Sequence, residues 1–93
     1  MVTNILQGNT AEFVVEFLDS DGAVTVPASG TLVITYTTLA GSSTFDTITL
    51  TLSGTTFWTG SWDSSVAAIG PAAWTVSAPT VAATTGSLRI IDP

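Results

Sequence analysis

Asp46-Thr47-Ile48-Thr49-Leu50-Thr51-Leu52 is the stretch on which the fold turns. Ile48, Leu50 and Leu52 recur at every second position, and three threonines take the positions between them. Successive side chains of an extended chain point to opposite faces, so this spacing predicts a strand with one apolar face and one wet face. Isoleucine and threonine, branched at Cβ, suit that conformation.

The same spacing runs outward in both directions. Upstream, Leu32, Ile34 and Tyr36 align within residues 31–38; Phe13, Val15 and Phe17 align within residues 12–18, with Glu12 and Glu16 on the opposite face. Between these segments Asp19-Ser20-Asp21-Gly22 supplies turn chemistry, a short extended piece is expected over residues 23–26, and Pro27 and Gly30 punctuate the chain. Gly41-Ser42-Ser43 reads as a hairpin loop. Downstream, Ser53-Gly54 reads as a two-residue turn into a strand over residues 55–62.

Alternation stops after Asp63. Asp63 or Ser64 is placed to cap one helical turn through Val66-Ala67-Ala68-Ile69, which Gly70 and Pro71 would end. Two last strands are expected over residues 73–78 and 86–91, separated by a flexible stretch, Ala82-Ala83-Thr84-Thr85. About seven short strands, with at most one helical turn near residues 64–69, predict an all-β chain. Its expected form is an antiparallel two-sheet sandwich or a small barrel, as a single domain over residues 1–93.

Composition narrows the function. A chain of 93 residues has a modest core, and without cysteine no disulfide or thiolate metal site can supplement it. Histidine, the commonest general base and metal ligand, is absent as well. Charged residues make up 9% of the chain, against roughly 25% in an ordinary soluble domain. Arg89 is the one cation, and the formal charge of −6 leaves no electrostatic footprint for a phosphate backbone, so nucleic acid is not an expected partner. Met1-Val2-Thr3-Asn4 opens without a basic or apolar leader, and no apolar run approaches a bilayer's thickness. The chain is therefore expected to be made in a cytoplasm without a signal peptide and to have no membrane partner.

Three groups of residues bear on a site. Trp58 and Trp62 share one face of a strand and would form a platform for a sugar ring if exposed; the plainer expectation sets them in the core with Trp74, Gly60 making room for a facing side chain. Asp19 and Asp21, followed by Gly22, imitate the start of a calcium loop, but no glutamate completes it, and a turn with aspartate as local acceptor is favoured. Asp63 beside Ser64 and Ser65 sets a carboxylate near hydroxyls with no base to activate them, which favours capping over nucleophilic catalysis. No enzyme, cofactor or metal is expected. Lysine-free, threonine-rich strands have few charges to block edge-to-edge pairing, which points to edges or faces covered by other subunits or by further copies of the chain. Adaptation to salty surroundings is the competing account of so acidic a surface.

In order, Gly8-Asn9-Thr10, Phe17-Leu18-Asp19-Ser20-Asp21-Gly22, Pro27, Leu32-Val33-Ile34, Gly60-Ser61-Trp62 and Gly70-Pro71-Ala72-Ala73-Trp74-Thr75-Val76 resemble a pattern in small immunoglobulin-like virion proteins of tailed phages. The terminal Gly86-Ser87-Leu88-Arg89-Ile90 is similar to that family's last strand, although the family usually carries more charge there. The resemblance implies an immunoglobulin-like β-sandwich. It also implies a structural role in the virion, as a head decoration or cement protein or a head or tail accessory bound to capsid or tail subunits. It transfers no binding residue, because the matching positions are turn and core positions. Two other roles remain open at this point: a carbohydrate-binding or adhesin module using surface Trp58 and Trp62, and a soluble scaffolding or interaction domain.

Overall fold

The computed structural model describes residues 2–79 and 81–92. Nine strands follow one another: β1 (Val2–Leu6), β2 (Thr10–Leu18), β3 (Val24–Thr25), β4 (Thr31–Thr37), β5 (Ser43–Thr49), β6 (Thr51–Ser53), β7 (Phe57–Asp63), β8 (Gly70–Ala78) and β9 (Val81–Ile91). The one helical element among the described residues is a 3-10 turn, Ser64–Val66. Two sheets result, a five-stranded one in the order β1-β9-β8-β4-β5 and a four-stranded one in the order β3-β2-β7-β6. Every pairing is antiparallel except β1 with β9. At roughly 3.4 Å per residue, the eleven residues of β9 nearly span the 41 Å long axis of the molecule.

One core serves both sheets. Leu32, Ile34 and Tyr36 of β4, Val76 of β8, Leu88 and Ile90 of β9 and Ile5 of β1 meet Phe17 of β2 and Trp58 and Trp62 of β7. These are the alternate residues of each strand, and the faces expected for residues 12–18 and 31–38 are the faces observed. Tyr36 touches Trp62 across the gap, ring centroids 5.2 Å apart, so a direct aromatic contact joins the sheets.

The deciding stretch is not one strand. Pairing of β5 with β4 ends at Thr31↔Thr49, Leu50 turns into the core, and residues 51–53 pair with β7 in the other sheet. Leu52, expected to be buried beside Ile48 and Leu50, is exposed. Alternation reports how side chains flank the local backbone, and it is silent about which sheet receives that backbone. Leu50 is held at the crossing by its N–H, which donates to the Gly30 carbonyl (2.9 Å). The glycine expected to leave room does so for Leu50: a Cβ on Gly60 would lie 2.8 Å from Leu50 Cδ2.

Four further expectations change. The count of about seven strands becomes nine, because the 46–52 stretch divides and β1 pairs with β9, setting Ile5 opposite Ile90. The β6–β7 hairpin closes through three residues, 54–56, with Gly54 at φ +76°, in place of a two-residue turn. Residues 82–85 lie within β9, paired with β8 through Thr75↔Thr85 and Val76↔Thr84, so small residues that read as a flexible connection are ordered by a long hairpin ladder. Gly70 and Pro71 open β8 and do not end a helical turn. That turn ends at Val66, and Asp63 caps it, its Oδ1 accepting from the Ser65 N–H (2.9 Å).

Gly86 supports the ring of Trp74, which lies across it from the paired position on β8. A Cβ at this site would fall inside the indole. Alanine normally stabilises a strand position over glycine by about 0.5–1 kcal/mol, so the sign is diagnostic. Gly86→Ala is expected to lower stability by about 1–3 kcal/mol through overpacking, and the loss should vanish in a Trp74→Ala background. Urea unfolding of the four chains of this double-mutant cycle checks it.

Candidate interaction surface

The residues singled out for chemistry have structural positions. Trp58 and Trp62 both face the core, 6% and 3% exposed, so the two indoles form no platform toward solvent. Trp58 packs edge-on against Phe17, centroids 6.1 Å apart. Its Nε1 is buried with no hydrogen-bond acceptor. Trp62 Nε1 donates to Asp46 Oδ2 (2.9 Å) across the two sheets. Trp74 is half-buried over Gly86.

Asp46 is the residue that sequence reasoning passed over. It has the same parity as Ile48 and Leu50, so a carboxylate stood on an apolar face, and in a chain with three tryptophans an indole N–H is a fitting partner for it. Burial, and then the nearby Asp46 carboxylate, hold the Tyr36 phenol above its ordinary range. Tyr36, Trp62 and Asp46 thus form one cross-sheet cluster.

Asp19 is a turn acceptor. Its Oδ1 receives the N–H groups of Asp21 (2.9 Å) and Ala23 (3.0 Å), and Gly22 adopts φ +82°. Asp21 adds no ligand geometry, and no group of three or more Asp, Glu, His or Cys side chains converges among the described residues. Ser64 is fully buried, and its Oγ lies 3.0 Å from the Leu6 carbonyl and 2.7 Å from that of Asn9, knitting the corner between β1 and β2 to the turn after β7. Gln7 Nε2 donates to the Ala67 carbonyl (2.7 Å) at the same corner. Asp63, Ser64 and Ser65 are thus occupied by capping and corner-bracing.

The outer surface is the distinctive part. On the outside of the four-stranded sheet Val14 is 66% exposed and Phe57 49%, and Leu18 stands opposite Val24, both exposed. Phe45, on β5, is 63% exposed, and Leu39 projects from the β4–β5 loop. Threonine and serine fill most positions between them. Arg89, the single cationic side chain, stands on β9 between Asn4 and Pro71 of the neighbouring strands. Among the described residues no helix is long and apolar enough to cross a membrane. No protein-family model, curated protein or solved structure matches the chain.

Two expectations follow from the aromatic cluster. Trp58→Phe removes an unpaired donor with its ring edge, whereas Trp62→Phe leaves Asp46 without the indole N–H. Trp62→Phe is therefore expected to be the more destabilising by about 1–3 kcal/mol, measured by denaturant unfolding. Tyr36 is the only tyrosine, and the chain has no cysteine or lysine, so it is the main side chain titrating near pH 10. With a raised folded value, its contribution to stability is complete below about pH 10 and is lost as the pH rises through the folded value. A stability profile from pH 8 to 11.5 should fall at its alkaline end for the parent chain and flatten for Tyr36→Phe.

Proposed function

We propose that the chain is a non-enzymatic structural component of a phage virion, a decoration, cement or accessory protein held on capsid or tail subunits, and that its two sheets form an immunoglobulin-like sandwich. The observation that carries the reading is the outer face of the four-stranded sheet, where Val14, Phe57, Leu18 and Val24 stand exposed on strands without a single cation. Apolar side chains of this kind, set among hydroxyls and the carboxylates of Glu12 and Glu16, suit burial against another subunit. A standard interface takes about 800 Å² from each partner, roughly one-seventh of the 5461 Å² surface of the chain, so one sheet face suffices. The mechanism is adhesion: apolar area removed from water across subunit boundaries raises the free energy needed to separate them. The shared core, the adjacent β4, β8 and β9, and the parallel β1–β9 pair at the edge support the immunoglobulin-like description. A sugar-binding role draws no support from Trp58 and Trp62, whose rings turn inward.

Mass spectrometry of purified virions from the genome that encodes the chain is expected to find it at fixed stoichiometry. Light scattering after size exclusion, in dilute and physiological salt, gives the native mass of the isolated chain. Val14→Ser with Phe57→Ser should leave stability within about 0.5 kcal/mol while weakening attachment to particles by about 2 kcal/mol or more. A chain absent from virions, or variants that attach unchanged, would overturn the reading.

A further inference from the structure

β2 is paired fully along one edge only. Its ladder with β7 runs from Thr10↔Asp63 to Glu16↔Phe57, whereas on its other side β3 covers Phe17 and Leu18 alone. Alternate backbone N–H and C=O groups over residues 10–16 therefore point away from β7 with no described strand to receive them. Two hollows flank this edge. One, about 470 Å³, lies between residues 14–18 and, across the gap between the sheets, Trp74, Val76, Val81 and Thr84. The other, about 320 Å³, lies between residues 4–6 of β1 and residues 9–12. The apolar gap between the sheets is thus open on the side where β2 lacks a neighbour.

Alternation along β2 defines what would fit. Ala11, Phe13 and Val15 face inward, so an added strand would direct every second side chain toward the gap between the sheets, where Trp74, Val76 and Val81 favour apolar groups. Its other side chains would lie outside, beside Glu12, Val14 and Glu16. Glu16 accepts a hydrogen bond from the Thr56 hydroxyl (3.0 Å), which keeps its carboxylate on that face. The chain's one cationic side chain, Arg89, belongs to a strand of the other sheet. Charge therefore discriminates among occupants. A second copy pairing antiparallel about Val14 would set Glu12 of each copy opposite Glu16 of the other, which is unfavourable.

We infer that the open edge of β2 is a docking site for an extended segment of another protein in which apolar residues alternate with outward residues that include lysine or arginine four positions apart, the segment joining the four-stranded sheet as an added strand. The spacing matches Glu12 and Glu16, and backbone pairing supplies affinity while the alternate side chains supply selectivity. This rests on the reading of the chain as an assembly component and names the chemistry of its partner.

The probe is a capped peptide containing Lys-Val-Thr-Val-Lys, titrated into the isotopically labelled full chain and followed by amide shifts and hydrogen exchange. Binding is expected to move and protect the amides of residues 10–16, with the corresponding Glu-Val-Thr-Val-Glu peptide roughly tenfold weaker. Glu12→Lys with Glu16→Lys, both exposed positions, should reverse that order, and unchanged tryptophan emission verifies folding. Absence of binding at millimolar peptide, equal binding of the two peptides, shifts confined to other strands, or self-association through β2 would overturn the inference. The outcomes separate it from the virion reading. If neither peptide binds at β2 while virions contain the chain, this site fails and the virion role stands; if the peptide binds at β2 but virions lack the chain, the site stands and the virion role fails.

Discussion

The passage of the chain through Leu50 is the constraint on which the rest of the molecule depends. Between β5 and β6 a single residue leaves one sheet and enters the other, and its side chain is buried where the two meet. Two glycines shape the seat: a Cβ on Gly30 would lie 3.2 Å from Leu50 Cδ1, and one on Gly60 would lie 2.8 Å from Cδ2. Burying one leucine contributes only about 1.5–3 kcal/mol. Its position matters more, because the crossing ties β4 and β5 on one side to β6 and β7 on the other and thereby brings Tyr36 against Trp62.

Around that crossing the protein is held with very little charge. The Tyr36–Trp62–Asp46 cluster spans the sheets through one aromatic contact and one indole-to-carboxylate bond, the charge-assisted kind that is stronger than a neutral pair. At the far end of β7, Ser64 and Gln7 satisfy carbonyls at the corner between β1 and β2 and at the turn after β7. A chain of this size without disulfides relies on such local satisfaction, since each unsatisfied buried polar group would consume a large part of a small stability margin.

The same economy of charge appears on the surface with a different consequence. Eleven large hydrophobic side chains among the described residues are exposed, nearly as many as the twelve hydrophobic residues in the core, so the fold leaves much of its apolar content for contact. Two kinds of contact surface follow. The outer face of the four-stranded sheet presents side chains, and the open edge of β2 presents backbone groups beside an apolar gap. They meet at Val14, which stands on that face and belongs to that edge.

The sequence by itself determined the all-β class, the inward faces of β2 and β4, a favoured inward face for β7, the Asp19 turn and a cap at Asp63 or Ser64. All of these follow from interactions within a few residues, where alternation and turn chemistry act directly. Tertiary structure alone decided that residues 46–52 divide between two sheets, that Val2–Leu6 adds a parallel strand beside β9, and that residues 82–85 extend a long hairpin. It also decided that Asp46 meets Trp62 and that one edge of β2 lies open. Such features depend on which strands become neighbours, and neighbours in a sheet are chosen by contacts far apart in the chain. The local period of two is the same whichever strand lies alongside.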